Sequence, residues 1–388
     1  MRAVTYLRQA TLNLLLFMVA CLIALGLGEV IVRLLAPQQL IVQRPDLYRP
    51  VDSLGYAHRP DVHLKVNTGD RSVTMYTDSS GFRVGAKGRP PGRYRVLLLG
   101  DSFMAAMQVE YEQSLPGLIE QCFVTRTGQS AAVWNTGVAG WDPPQYYLQE
   151  RRALEARQFD VVLVAVFLGN DVVTRRQIFR PLEADRKHTF RLPRRLTGAE
   201  FVDALLYPVN DFLEARSHLF VFLKNRSQTL LMRAGLTNIE VPSELRRSQA
   251  PSPRWGVTAD ILADMDSLAK AHGVPAVFAL IPAIEQVEPA VLQDRTKSLG
   301  INPVSLDLDQ PERLMIQELQ RRKLSYVTLL ESLRSARARG VSLYGRVDMH
   351  PSADGHRVMW DGIALLLAQA LGLPYHPAPD AGQPCSPP

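Results

Sequence analysis

The sequence has few of the residues that build metal or redox sites. Its 388 residues include three cysteines, Cys21, Cys122 and Cys385, and no Cys-x-x-Cys pair. Their scarcity excludes a cysteine-based zinc site and a thioredoxin-like motif, and only Cys122 and Cys385 could pair outside the N-terminal apolar run. His58 and His63 are too scattered along the chain to form a metal site. We therefore expect no metal and no other cofactor.

Charge of one sign and nucleic-acid-binding motifs are also scarce. The formal net charge is only +6, and charged residues make up 21% of the chain. There is no zinc-finger spacing, no RNP-like aromatic run and no basic region joined to heptads, so nucleic acid is not expected as a partner. The mild positive charge fits a protein near an anionic membrane surface. With 46% hydrophobic residues, the chain can bury a sizeable core in one large or two modest domains.

Two glycine signatures of common enzyme folds are missing. The chain has no Gly-x-Ser-x-Gly sequence, which argues against an α/β-hydrolase with a nucleophile elbow. No Walker or Rossmann glycine pattern follows the first predicted strand of the main domain, so a nucleotide cofactor is not indicated.

An apolar segment is present at the N-terminus. The twenty residues Gln9–Gly28 carry no charge, and a helix of that length spans roughly the 30 Å core of a bilayer. Arg2 and Arg8 precede it, which favours a cytoplasmic N-terminus and an exported remainder. Glu29 and Arg33 follow at a spacing of four residues, which lets them pair at the membrane interface.

Two alternatives involve cleavage of this segment. A signal peptide would have a shorter apolar core of about 7–15 residues and a small-x-small cleavage site. A lipoprotein signal could use Met18-Val19-Ala20-Cys21, but the hydrophobic run continues past Cys21. We therefore prefer an uncleaved single-pass anchor over residues 1–36, which attaches the protein to a membrane and places the rest outside the cytoplasm.

The remainder begins with a linker and a small β-rich preface, over residues 37–90. A regular alternation of strands and helices then occupies residues 91–371, interrupted by a basic insertion with helical periodicity over residues 172–254. That insertion either covers the substrate or packs on the domain without a role in substrate binding. Residues 372–388 are rich in proline, and we expect a disordered tail.

The strands of the main domain are continuous apolar runs. The pattern predicts strands at Tyr94–Leu99, Ala131–Asn135, Asp160–Leu168, Ala276–Leu280 and Ser325–Leu329. Such strands between helices are typical of a parallel sheet that is covered on both faces. The predicted fold class is therefore α/β.

Candidate catalytic residues follow the first three strands. In an open parallel sheet, ligands bind beyond the carboxyl ends of the strands. Ser102 follows the first strand, Gly140 the second and Asn170 the third. A serine hydroxyl can attack an acyl carbonyl. The N–H groups of Ser102 and Gly140 and the Asn170 amide can stabilise the oxyanion that forms.

A base for the serine is found before the last predicted helix. His350 can accept the serine proton, and Asp348 can orient the imidazole. The alternative interpretations are structural: Ser102 as a helix N-cap, Asn170 as a turn residue and His350 as an ordinary loop histidine. Three neighbouring polar residues are expected to be structural rather than catalytic: Asp101 as a cap or turn group, Asp171 in a loop and His356 in packing.

Together these segments resemble the conserved blocks of SGNH/GDSL hydrolases, across about residues 90–371. The blocks are Gly100-Asp101-Ser102, Gly140 in Asn-x-Gly-x-x-Gly, Gly169-Asn170-Asp171, and Asp348 with His350. The resemblance implies a flavodoxin-like three-layer α/β/α fold, a catalytic triad of Ser102, His350 and Asp348, and an oxyanion hole of Ser102, Gly140 and Asn170. The family more often has Asp-x-x-His, whereas this chain has Asp-x-His.

Three functions are compatible with these features. The first is a serine esterase that removes acyl groups, with acetyl the simplest, from a cell-envelope or exported polysaccharide. The second is an acyltransferase that uses the same triad to pass an acyl group to a sugar hydroxyl. The third is a non-catalytic assembly protein of the envelope, against which the complete set of catalytic residues argues. The sequence does not define the oligomeric state.

Overall fold

The computed structural model describes residues 2–38, 40, 46–51, 54–172, 212–213, 216–233, 245–247, 254–346 and 349–377. Strands are numbered in chain order: β1 Tyr48–Val51, β2 Gly55–His58, β3 His63–Asn67, β4 Ser72–Thr77, β5 Arg83–Val84, β6 Tyr94–Leu99, β7 Ala131–Asn135, β8 Val161–Phe167, β9 Ala276–Ile281 and β10 Tyr326–Thr328. Helices are numbered likewise: α1 Arg2–Leu35, α2 Ser102–Ala105, α3 Leu115–Thr127, α4 Pro143–Ala156, α5 His218–Arg233, α6 Arg254–Ala271, α7 Ile284–Val287, α8 Pro289–Leu299, α9 Gln310–Arg321, α10 Leu330–Ala338 and α11 Ala353–Ala370.

An eight-stranded sheet forms the centre of the molecule, in the order β10-β9-β8-β6-β7-β5-β4-β3. The strands from β10 to β7 pair in parallel, with Val96 of β6 opposite both Val133 of β7 and Val161 of β8. Numbered along the chain, these parallel strands have the order 2-1-3-4-5, which is that of flavodoxin-like folds. The predicted α/β class with a central parallel sheet is confirmed.

Both faces of the sheet are buried, because alternate side chains of each parallel strand enter different cores. In β8, Val162, Val164 and Val166 belong to one hydrophobic cluster, and the intervening side chains belong to the other. Helices α4, α6 and α9 cover the first face, and α3, α10 and α11 cover the second. Since every strand residue must be apolar in such a layer, β8 has the unbroken apolar run that the sequence shows.

The β-rich preface continues the sheet. Strand β5 pairs antiparallel with β7 through Arg83 and Asn135, and β4 and β3 extend the edge in turn. The buried Arg83 guanidinium donates to the carbonyl oxygens of Ala105 (2.7 Å) and Val109 (2.6 Å). Through Arg83 the β-rich preface therefore holds the segment after α2 in place, and it also covers the edge of β7. A separate two-stranded hairpin, β1–β2, pairs Tyr48 with His58.

Helix α1 contains the apolar segment. Its stretch Thr11–Leu35 contains an 18-residue window that has a mean hydropathy of 2.6 and is only 6% buried, so the helix is long and apolar enough to cross a membrane. Arg33 donates to Glu29 over 2.6 Å, the pairing that their spacing predicts. Glu29 also accepts from the Ser217 hydroxyl (2.8 Å) and the Leu219 backbone N–H (2.9 Å). The end of α1 thus caps α5, the described helix of the insertion.

Several elements differ from the sequence-based expectations. Helices α8 and α10 add to the regular alternation of strands and helices that the sequence predicts, and a single residue separates each from the preceding element. The first residues of the expected disordered tail are ordered: Leu373 and Tyr375 pack against the second core, and the His376 N–H donates to the Arg126 carbonyl oxygen (2.8 Å). Most of the insertion expected over residues 172–254 lies outside the described residues, which include 212–213, 216–233 and 245–247 of it.

Candidate active site

Ser102 lies where the central strand β6 passes into a short helix. Asp101 is the N-cap of α2, and its side chain accepts from the Phe103 backbone N–H (2.9 Å). Ser102 is the first residue of the helix and remains partly exposed. Asp101, and not Ser102, therefore caps α2. The Ser102 hydroxyl lies at the carboxyl end of the sheet.

His350 is in direct contact with Ser102. Its Nε2 atom lies 2.8 Å from the Ser102 Oγ atom, although the two residues are 248 positions apart in the chain. The imidazole also meets the edge of the Phe103 ring, with centroids 5.3 Å apart, and Phe103 in turn stacks on Phe167 (4.3 Å). The aromatic pair supports one side of the histidine and leaves its Nε2 directed at the serine.

The loop before α11 presents His350. The Gly345 N–H donates to the His350 carbonyl oxygen (3.0 Å), and Ser352 caps α11 by accepting from the Gly355 N–H (3.1 Å). Asp348, the third member of the predicted triad, lies outside the described residues. Its role as the group that orients His350 stays a prediction.

Gly140 lies in the loop between β7 and α4, with φ +81° and an exposed backbone. This backbone conformation favours glycine, because a Cβ atom collides with the following carbonyl oxygen. A Cβ atom there would also lie 2.5 Å from the Tyr56 hydroxyl oxygen. That hydroxyl donates to the Ala139 carbonyl oxygen (2.8 Å) and so fixes the peptide that precedes Gly140.

A second set of contacts joins this loop to the helix that carries Ser102. The Asn135 side chain is fully buried, donates to the Met104 carbonyl oxygen (2.8 Å) and accepts from the Gly137 N–H (3.1 Å). A Cβ atom on Gly137 would lie 2.6 Å from the Met104 Cβ atom. Asn135 and Gly137 therefore hold the loop after β7 against helix α2, a role that the sequence does not indicate for them.

Asn170 is exposed at the end of β8, and its side-chain amide donates to the Asp101 Oδ2 atom (3.3 Å). The amide is thereby placed beside the residue that precedes Ser102. Its second N–H is available to a group bound at the serine. Asn170 therefore contacts the residue adjacent to Ser102, and its role in an oxyanion hole stays a prediction.

Asp171 and His356 have structural contacts. The buried Asp171 carboxylate accepts from the Phe167 N–H (2.7 Å) and from the Tyr146 hydroxyl (3.1 Å), so it holds the loop that bears Asn170. The fully buried His356 accepts from the Leu115 N–H (3.3 Å) at Nδ1. Burial, followed by the charge of Arg83, lowers the pKa of His356 to about 3, so its ring is neutral at pH 7.

Two buried carboxyl groups shape the electrostatics below the site. Burial raises the pKa of Asp101, against hydrogen bonding from Phe103 that favours the charged form. Burial, followed by the charge of Asp101, raises the pKa of Asp171 well above its usual value. The charge of Asp101 therefore disfavours ionisation of Asp171.

The comparisons with known proteins add a likeness in structure only. No protein-family model matches the sequence, and no curated protein matches it. The solved structures that resemble it include a lipolytic protein of the G-D-S-L family from Veillonella parvula, at 10% identity and a TM-score of 0.36 over 71% of this chain and 98% of that one. They also include an acetyl xylan esterase from Geobacillus stearothermophilus, at 12% identity and a TM-score of 0.35 over 74% and 98% of the two chains.

Proposed function

We propose that the protein is a serine esterase in which Ser102 is the nucleophile and His350 the general base. The observation that carries the proposal is the 2.8 Å contact between the His350 Nε2 and Ser102 Oγ atoms. A serine hydroxyl is a weak nucleophile by itself, and a base within hydrogen-bonding distance activates it. The contact joins residues from opposite ends of the domain, at the edge of the sheet where substrates of such folds bind.

The chemistry follows from this pair. Ser102 Oγ attacks the carbonyl carbon of an ester as its proton passes to His350 Nε2. The tetrahedral intermediate collapses when the protonated histidine returns that proton to the leaving alcohol. Water, deprotonated by the same histidine, then attacks the acyl-enzyme and releases the carboxylic acid and the free serine. In this proposal Asp348 orients the imidazole and stabilises its charged form.

The oxyanion of the tetrahedral intermediate requires donors that are already in place. We assign this role to the backbone N–H groups of Ser102 and Gly140 and to the Asn170 side chain. Three features support the assignment: the Asn135 bridge to Met104, the Tyr56 bond to Ala139 and the Asn170 bond to Asp101. These contacts fix the donors before substrate arrives, which is the condition for effective electrostatic stabilisation.

We infer that the site acts outside the cytoplasm on an acyl group, acetyl being the simplest, of a cell-envelope or exported polysaccharide. The apolar helix α1, with Arg2 and Arg8 before it, supports a membrane anchor with an exported domain. Cys122 is disulfide-bonded, which fits an oxidising compartment. Gly140 and Asn170 are exposed, so the site is open enough for a pendant acyl group on a polymer.

The first test is chemical labelling of the full-length protein. A fluorophosphonate probe should modify Ser102, as identified by mass spectrometry of the labelled peptide. Labelling should be lost in Ser102→Ala and strongly reduced in His350→Gln. The matched control is Ser114→Ala, which removes a buried serine that caps α3. Equal labelling of Ser102→Ala and the unmodified protein would refute the nucleophile assignment.

The second test separates hydrolysis from acyl transfer. With an aryl acetate as the acetyl donor, the rate of acetate release is compared with the rate of sugar acetylation as a xylo-oligosaccharide is added. An esterase releases acetate at a rate that the added sugar hardly changes. If the acetyl group passes mainly to the sugar, the residues keep their roles but the protein is an acyltransferase.

A further inference from the structure

A cavity of about 190 Å³ lies on the flank of the domain, between the β1–β2 hairpin and helix α4. Its apolar wall includes Leu54, Phe82, Trp134, Val138, Trp141 and Phe159. Ser102, Gly140, Asn170 and His350 are not part of its lining. The cavity is therefore distinct from the candidate active site, and the proposed ester chemistry gives it no role.

The charges at the cavity have one sign. Arg49, Arg152 and Arg157 line it, and the described lining includes no aspartate or glutamate. The Arg157 guanidinium lies 5.2 Å from the centre of the Trp134 ring. The Nε atom of Arg49 is buried and has no hydrogen-bond partner among the described residues. Guanidinium groups collected around an apolar hollow form a site for a carboxylate, which they bind with good geometry.

A buried histidine provides the second observation. His58 lines the cavity, is only 1% exposed, and its Nε2 atom has no hydrogen-bond partner among the described residues. Burial, followed by the charge of Arg83, lowers the pKa of His58 to about 3. The ring is therefore neutral at pH 7 and carries a single N–H. A buried polar nitrogen without a partner is unfavourable, and a bound acceptor or donor would satisfy it.

We propose that this cavity is a binding site for a small organic anion, namely a carboxylate on an apolar or aromatic body. The carboxylate pairs with the guanidinium groups of Arg49 and Arg157, and the body packs against Trp134 and Trp141. The wall favours an apolar body over a sugar, because most of it consists of aliphatic and aromatic side chains that would leave sugar hydroxyls unpaired.

The cavity is connected to the loop of Gly140. Trp141, which forms part of the wall, donates from its Nε1 atom to the Tyr56 carbonyl oxygen (2.9 Å). Tyr56 in turn holds the Ala139 carbonyl oxygen through its hydroxyl (2.8 Å). A ligand that packs against Trp141 therefore stabilises the loop that we assign to the oxyanion hole. This consequence for the reaction rests on the proposed function, whereas binding itself does not.

The experiment measures binding directly on the full-length protein in detergent. The probe is 4-fluorophenylacetate, observed by the broadening of its ¹⁹F NMR signal, with detergent alone as the blank. The neutral amide of the same molecule keeps the aromatic body, and fluoroacetate keeps the charge. We expect saturable binding of 4-fluorophenylacetate and an affinity about tenfold lower for each comparison compound, since each loses one of the two kinds of contact.

Three variants locate the site. Arg49→Gln and Arg157→Gln should each weaken binding of 4-fluorophenylacetate by about fivefold to tenfold, as expected for loss of one charged hydrogen bond. Arg151→Gln is the matched control, because Arg151 is an exposed arginine of α4, the helix that ends just before Arg157, and is absent from the lining. Ala156→Phe should block the site sterically, and it should fold normally because Ala156 is exposed at the rim.

The possible results are decisive. The proposal is overturned if the amide binds as well as the carboxylate, if Arg151→Gln weakens binding as much as Arg49→Gln, or if Ala156→Phe still binds the probe. Equal or tighter binding of glucuronate would also overturn it, by showing that the site prefers a polar body. All titrations are repeated on Ser102→Ala. Binding that survives this substitution supports the cavity even if the esterase proposal fails.

Discussion

Substitution of Gly140 by alanine tests the geometry of the candidate oxyanion hole. The residue has φ +81°, and its added Cβ atom would lie 2.5 Å from the Tyr56 hydroxyl oxygen. The left-handed conformation costs a non-glycine residue roughly 1–2 kcal/mol. Displacing Tyr56 from the Ala139 carbonyl oxygen costs about 1 kcal/mol more. We therefore expect Gly140→Ala to lower the free energy of unfolding by about 2–3 kcal/mol.

The same substitution should have a larger effect on catalysis. A Cβ atom that cannot be accommodated moves the loop, and the N–H of residue 140 then no longer points at the oxyanion. Loss of one such donor typically lowers kcat by about 10² to 10³-fold. We expect that loss in kcat for hydrolysis of an aryl acetate, with little change in KM, because the N–H of residue 140 binds the transition state more strongly than it binds the ester substrate.

Two companion variants separate strain from catalysis. Gly128→Ala introduces a side chain at a similar φ of +72° with no atom within 4 Å, so it should lose stability and keep its kcat. Tyr56→Phe removes the oxygen that the new Cβ atom meets, so Gly140→Ala in this background should regain part of its stability and part of its kcat, because that collision no longer moves the loop. The reasoning fails if Gly140→Ala retains the kcat of the unmodified protein or if Tyr56→Phe leaves the kcat of Gly140→Ala unchanged.

Four further predictions concern other parts of the molecule. Asn170→Ala should lower kcat by about 10² to 10³-fold with little change in KM; an unchanged kcat would remove Asn170 from the oxyanion hole. Ester hydrolysis should decline as pH falls through the range in which histidine titrates, about 5 to 8, because a protonated imidazole cannot act as a base; a flat profile would contradict the role of His350. Glu150 is fully buried with both carboxylate oxygens unpartnered among the described residues, and burial, followed by the charge of Asp266, raises its pKa to about 9. Because the pKa of Glu150 is higher in the folded than in the unfolded protein, its contribution to the free energy of unfolding is fully present at low pH. That contribution is lost as pH rises from 4.5 to about 9, by up to roughly 1.4 kcal/mol per pH unit; the Tm of Glu150→Gln should lack this decline. Without reductant, an alkylating reagent added to the denatured protein should modify Cys21, which is free, and spare Cys122, which is disulfide-bonded; alkylation of Cys122 in the denatured, unreduced protein would argue against an oxidising compartment.

The strands and the principal site residues could be predicted from the sequence because their signals are local. Strand β8 is an apolar run with no polar interruption, and its ends differ from the predicted ones by one residue each. Ser102, Gly140 and Asn170 each follow a strand, and the carboxyl ends of parallel strands lie at one edge of a sheet. That rule predicts proximity, but it does not predict the orientation of a side chain.

The groups that orient the site could not be predicted, because their contacts join segments far apart in the chain. Tyr56 is 83 residues from Ala139 and belongs to a hairpin whose position is set by tertiary packing. Arg83 is buried in full although arginine is almost always exposed. Its three carbonyl partners lie 22 to 26 residues further along the chain. No periodicity or turn signal indicates such a contact.

Asn135 shows where the sequence signal was present but its meaning depended on the fold. In the run Asn135-Thr136-Gly137-Val138-Ala139-Gly140, a glycine permits close approach of another group because it has no Cβ atom. In the structure the close approach at Gly137 is made by the protein itself, because Met104 fills the space that a Cβ would occupy. Asn135 bonds to both neighbours of that contact. Two glycines three residues apart thus have different physical causes, one internal packing and the other an exposed left-handed turn, and only the second can face a substrate.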